Sequence, residues 1–422
     1  MFARYPDFRR LFVGNSVSLL GSSVTTVALP LTAVVYLHAS PVQLGIIGAV
    51  AFVPHLVLGL PAGVWVERMR YRRILVLADL AQMLLLGTIP ILAAFHVLHV
   101  WQLYVVVVLA GIGNLFETVT SQSFIPRLVP RDQLLPANSA VMQSNSTVNT
   151  TGSALGGVLV QLLTAPIAIA VDAISFLLAA FCKARIRTPG PAVSSAVRPK
   201  QHLRTDILEG LRAVLAHPVV RAVTISATLG ALAGQMQNVV LVLYLVRGLH
   251  LASSLVGVAI AIGGVAGILG AVIATPLTKR VGPGPAYIAG MSLAGTAGLV
   301  LAASSGPLAV AFPILVVAQL LRGAGPALYG VNQQTFRQAL LRPELISRVN
   351  ATWRFLVYGM MPIGALLGGL SGSALGFRTT LIISSGGVLL GTAIAALSPL
   401  RSLHELPAQD SSVHPDDTAA AA

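Results

Sequence analysis

Long apolar runs alternate with short polar gaps along the chain. Twelve runs can be drawn: 11–36, 42–66, 73–95, 101–125, 135–163 and 166–184, then 220–246, 253–278, 284–303, 308–333, 347–371 and 378–398. Each is about 20 residues or longer, enough for an α-helix to cross a hydrocarbon core of about 30 Å. The pattern predicts an all-α integral membrane protein with twelve transmembrane helices. The fifth run is the least apolar, because Gln143 to Thr151 is almost entirely polar. One long polar stretch, 185–217, parts a six-helix half at 1–184 from a second at 218–398. It reads as a flexible linker followed by a short amphipathic helix in "TDILEGLRAVLAHP", capped by Thr205 or Asp206. Residues 399–422 run into acidic and alanine residues and read as a disordered tail.

Composition sharpens this picture. Hydrophobic residues make up 55% of the 422 positions, charged residues 9%, and the mean hydropathy is +0.83. A soluble domain carries about 25% charged residues, so this chain lacks the charge to cover a water-facing surface. The net charge of +14 would suit a nucleic-acid binder if it formed a patch. It is instead scattered through the gaps, where a membrane protein places it, so no nucleic-acid partner is expected. With the N-terminus taken as cytoplasmic, all of the 27 basic residues except Arg247, Arg322 and Arg378 fall on the cytoplasmic side. This assigns Lys183 to the linker charges and both termini to the cytoplasm, in an inner or plasma membrane. The first run is too long for a signal peptide. The single Cys182 allows neither an intrachain disulfide nor a metal cluster. No phosphate loop, HExxH or catalytic triad is found, so neither an enzyme, a cofactor nor a metal is expected, and nothing calls for more than a monomer.

The halves repeat. Shifting the chain by 212 residues lays Gln122-Ser-Phe124 on Gln334-Thr-Phe336, Gly111-Ile-Gly113 on Gly323-Ala-Gly325, and Gly45 on Gly257. The same shift lays Gly152-Ser-Ala-Leu-Gly-Gly157 on Gly364-Ala-Leu-Leu-Gly-Gly369. One six-span unit therefore occurs twice in the same orientation. Two parallel halves about an axis along the membrane normal are a known plan for secondary transporters.

The 2–3 loop, "GLPAGVWVERMRYRRIL", resembles the loop motif of the major facilitator superfamily through Gly63, Glu67, Arg68, Arg72 and Arg73, with Glu67 where Asp is usual. "GSALGG" resembles the fifth-span motif of its exporters, with Ser153 in place of Pro. "FIPRLVPRDQLLPANS" and "DAISFLLAA" are similar to the branch of macrolide-efflux and siderophore-export proteins. The Arg that many members carry in the fourth span is absent, with Ala110 or a neighbour in its place.

The resemblance implies the major facilitator fold and proton-coupled efflux of a small amphipathic molecule. The alternatives are uptake by symport, or a non-transporting membrane scaffold. It also implies a conformational latch, in which Gly63 permits close approach and Glu67 accepts hydrogen bonds from the start of the eleventh helix near Ser347 to Asn350. Arg68, Arg72 and Arg73 would otherwise serve only as orientation charges.

Ionisable residues inside spans cost about 2.5–3.5 kcal/mol each at the bilayer centre, so each is a functional candidate. In the family, spans one, four, seven and ten line the cavity, which favours Glu117 and Arg322 as the proton and substrate site. The alternative for Glu117 is a salt bridge to Arg322 or to a loop arginine, while Arg322, which cannot release a proton, would tune Glu117 or hold an anionic substrate. Asp79 and Asp172, on spans three and six, are expected to be structural, and His55 to pack between helices. Asn145 and Asn149 share a helix face, and with Asn15, Ser22, Thr26, Gln235 and Asn238 they either line a wet cavity or bond between helices at about 0.6 kcal/mol each. Gly152, Gly156 and Gly157 are read as packing glycines.

Overall fold

The computed structural model describes residues 2, 4–67, 69–188, 211–340 and 343–404. These residues form thirteen long helices: α1 (Pro6–Leu31), α2 (Pro41–Val50), α3 (Val53–Glu67), α4 (Tyr71–Ala94), α5 (Val100–Leu128), α6 (Leu134–Leu163), α7 (Ala165–Ala184), α8 (Pro218–Leu243), α9 (Ser253–Val281), α10 (Pro283–Ala303), α11 (Leu308–Leu340), α12 (Pro343–Ala374) and α13 (Phe377–Leu397). The second span is the pair α2 and α3, broken at Ala51 and Phe52. Among the described residues eleven segments are long and apolar enough to cross a membrane. The twelfth is α6, 30 residues long, whose polar middle lowers its hydropathy. Of the expected linker helix, 211–218 lie among the described residues; 211–216 are helical, and His217 caps α8. The expected disordered tail is ordered at its start, because Pro399–Ser402 form a 3-10 turn that buries Leu400 against the second half; beyond 404 it lies outside the described residues.

Local chemistry sets the helix starts. Pro6, Pro41, Pro218 and Pro283 stand in first turns, where an N–H would have no partner. Ser40 and Gln43 form a reciprocal capping box at α2.

The backbone repeats as the sequence does. α1 ends in a wide π turn at Thr32–Tyr36, and α8 ends in one at Tyr244–Gly248, both 212 residues on. Each is followed by a histidine in the left-handed region, His38 at φ 50° and His250 at φ 49°. Thr164 and Gly376, again 212 apart, join the last two helices of each half at φ 80° and 82°.

Among the described residues the halves meet mainly at one end. The largest apolar cluster draws on both, with Val24, Leu31, Leu103 and Ile169 joining Val240, Leu245, Val256 and Leu381. The clusters at the other end, which carries the 2–3 loop and the linker, stay within one half: Phe8, Leu75 and Phe124 in the first, Tyr287, Met291 and Phe336 in the second. At the joined end α6 packs on α9 and α2 on α12. A Cβ on Gly157 would lie 2.4 Å from the Gly257 carbonyl oxygen, and one on Gly369 would lie 3.0 Å from the Gly45 Cα. The two pairs exchange under the 212-residue shift, so one seam contact is written twice. Arg247 also donates to the Ala39 carbonyl across this seam at 2.7 Å. The arginine-rich end is therefore parted and the opposite end closed.

Candidate transport site

Three ionisable side chains converge inside the first half. Lys183, near the end of α7, is completely buried. Its Nζ lies 2.9 Å from Asp79 Oδ1 on α4 and 2.5 Å from Glu117 Oε1 on α5. Side chains on a helix tilt toward its N-terminus. α7 runs toward the arginine-rich end, so the Lys183 stem leans back into the bilayer rather than out to water. Gly14 on α1 makes room for it, since a Cβ there would lie 3.2 Å from the lysine methylenes. Asp79 stands eight residues into α4, roughly 12 Å deep at 1.5 Å per residue. Ser18 and Gln82 each donate to Glu117 at 3.4 Å. Asp79 Oδ2 is buried with no hydrogen-bond partner among the described residues.

This corrects the expected arrangement in three places. Glu117 is not turned to Arg322 or to a loop arginine but is tied to Lys183 within its own half. Asp79, expected to be structural with no partner named, shares that lysine. Lys183 is not a linker charge. Sequence reading missed it because it stands where an apolar run meets a basic linker. The available signal was three carboxyls at membrane depth, Asp79, Glu117 and Asp172, in a half with no other intramembrane cation.

Asp172 is buried on α7 among hydroxyls, accepting from Thr25 of α1 at 2.5 Å and from Ser175 at 3.2 Å. His55 is half-buried, and its Nδ1 has no partner.

In the second half Arg322 of α11 donates to Asn238 Oδ1 on α8, and Asn238 Nδ2 donates to Gln235 Oε1 at 2.6 Å. α8 packs Leu232 and Met236 on α12, and Ser226 and Ala233 on α13. Its remaining face carries Gly234 and the exposed Asn238 in open space. Asn145 is exposed, while the side chain of Asn149 lies outside the described residues. Asn15 donates to Ser121 of α5 at 3.2 Å, and Thr26 bonds the Ser22 carbonyl of its own helix.

Gly152 and Gly156 lie against Ser23 and Val24 of α1, and Gly157 lies on the seam. At the parted end a Cβ on Gly63 would meet nothing within 4 Å among the described residues, so none of them makes the expected close approach in this conformation. Glu67's side chain and all of Arg68 lie outside the described residues. Arg72 donates to the Ile186 carbonyl of its own half at 3.1 Å, and Arg73 is exposed. Asn350, at the expected receiving helix, accepts from Arg337 at 2.9 Å.

Two parallel six-span halves, joined at one end and parted at the other around buried charges, define a membrane transporter of the major facilitator fold. The sequence pattern described as transmembrane secretion effector matches residues 3–421, and the chain belongs to that family. The multidrug efflux pump Tap of Mycolicibacterium fortuitum is 26% identical over 392 residues, covering 91% of this chain and 93% of its own. Macrolide efflux protein A of Streptococcus pyogenes is 24% identical over 385 residues, covering 89% and 92%. A bacterial homologue of the iron transporter ferroportin in its inward-facing state shares the fold, with a TM-score of 0.72, 15% identity, and coverage of 92% of this chain and 98% of that one. Its outward-facing state gives 0.56 at 18% identity and the same coverage. The family and the efflux relatives make this chain an efflux transporter of small molecules in a membrane.

Proposed function

We propose that the chain exports a small amphipathic molecule in exchange for protons, working as a monomer in the plasma membrane with both termini in the cytoplasm. The orientation rests on the basic residues gathered at the parted end. On that reading the described conformation is open to the cytoplasm, in line with the higher likeness to the inward-facing ferroportin homologue. A cysteine at Ser402 should then label only from the cytoplasmic side, and one at His250 only from outside. The reverse pattern would overturn the orientation.

The proton reading rests on one observation: two buried carboxyls share one lysine. With all three groups charged the cluster carries one uncompensated negative charge at membrane depth, and binding one proton removes it. Glu117 already accepts from Lys183, Ser18 and Gln82, whereas one oxygen of Asp79 is bare. Asp79 is thus the proton carrier in this reading, and Glu117 the standing counter-charge to Lys183. Gly63, Glu67, Arg68, Arg72 and Arg73 would form a latch only after the parted end closes.

The test is transport in inverted vesicles. Asp79→Asn should abolish accumulation driven by a pH gradient yet keep downhill exchange, which needs no proton release. If Asp79→Asn still concentrates substrate when a pH gradient is imposed, Asp79 does not couple protons to transport.

A further inference from the structure

We infer that the transported molecule carries an anionic group and that Arg322 receives it; the inference rests on the efflux reading and specifies its cargo. An ionised side chain at membrane depth ordinarily pairs with an opposite charge or lies on a substrate path. Among the described residues Arg322 has no such pair. Between Pro218 and Leu397 the sequence holds one acidic residue, Glu344, at the start of α12. Arg322 stands 14 residues into α11, roughly 21 Å from its beginning. The carboxyls of the first half at that depth are committed elsewhere, Asp79 and Glu117 to Lys183 and Asp172 to Thr25 and Ser175.

The hydrogen bonding of Arg322 points the same way. A guanidinium carries five N–H donors in a planar fork. Among the described residues Arg322 directs a bond to Asn238 alone. Asn238 in turn binds Gln235, so two neutral amides orient the fork without cancelling its charge. The side chain is only half-buried, beside the open face of α8 that carries Gly234 and Asn238. A planar cation held by neutral groups beside open space matches a carboxylate, sulfonate or phosphate bound through two parallel hydrogen bonds. Its depth excludes a lipid headgroup as the standing ligand. An inside-negative membrane potential also drives an anion outward, so charge and direction agree.

The test uses the full chain in lipid nanodiscs with two probes of one scaffold, a dansyl-labelled alkanoate and its primary amide. The alkanoate should bind at least tenfold more tightly than the amide, after subtraction of empty nanodiscs. Arg322→Gln should weaken alkanoate binding at least tenfold and shift amide binding less than twofold. Unshifted amide binding also shows that the variant is folded. Arg322→Lys should keep part of the preference, because the charge remains while the fork is lost. Equal binding of the two probes by the unaltered chain, or equal weakening of both by Arg322→Gln, would overturn the anionic-cargo inference. Vesicles separate this from proton coupling. Alkanoate export that ignores a pH gradient would sink the coupling and leave the anion site standing. Accumulation of the amide under a pH gradient, with the alkanoate excluded, would do the reverse.

Discussion

The two halves share one backbone and differ in what they bury at matching positions. A shift of 212 residues carries Asp79, Glu117 and Lys183 onto Met291, Tyr329 and Ala395. In the first half these positions hold an ion cluster. In the second they belong to an apolar cluster with Tyr287, Phe336 and Val388, and the Tyr287 ring lies 6.0 Å from both Tyr329 and Phe336. The Tyr287 hydroxyl is bonded to Ser226 at 2.7 Å, so that cluster leaves no polar end of Tyr287 bare. The shift carries Thr25 and Asp172 onto Gln237 and Ser384, and there the neutral Gln237 bonds Ser385 at 3.3 Å. Conversely, Arg322 falls on Ala110. The fold tolerates either an ionic or an apolar filling, so its stability does not require the charges. Charged groups of opposite sign in opposite halves suit a division of labour, with protons handled in the first half and cargo held by the second.

The largest expected effect comes from making the first half partly like the second. Lys183→Ala alone leaves two buried carboxyls without their cation and should cost about 3–5 kcal/mol of stability. Thermal unfolding and the yield of monodisperse protein measure this. Adding Asp79→Met and Glu117→Tyr completes the second half's set and should restore most of that stability, while pH-driven transport stays absent. A single Lys183→Ala variant as stable as the parent would erase the contrast between the halves.

Next comes the seam, where the halves are alike. Gly157→Val and Gly369→Val should each destabilise the closed end by about 1–3 kcal/mol through overpacking. Both should raise labelling of a cysteine at His38 or His250, because each wedges open an equivalent contact. Opposite effects from the two variants would deny the symmetry of the seam.

The smallest effect is expected at Asp172. Asp172→Asn keeps one oxygen to accept from Thr25, and its amide can donate to the Ser175 hydroxyl, which already bonds the Asp172 backbone carbonyl, so stability should change by less than about 1 kcal/mol. The pH dependence of transport should not move. A lost pH dependence in Asp172→Asn would relocate the proton site from Asp79 to Asp172.

The number of spans, the repeat and the side bearing the basic residues were legible in the chain itself. The bilayer imposes them residue by residue, since a span must be apolar along its own length and a loop arginine resists crossing. Even α6, polar in its middle, could be read from its place in the repeat. The glycines of the seam were visible as repeated positions, but not that Gly45 meets Gly369 or that Gly157 meets Gly257. Partnership of side chains was decided by tertiary structure. Lys183 lies 104 residues from Asp79 and 66 from Glu117, and it reaches them only because α7 is packed beside α4 and its lysine leans back along the helix. Glu117 and Arg322 were each recognisable as intramembrane charges, yet helical periodicity specifies a face and not the neighbour across it. Packing put a lysine beside one and two amides beside the other.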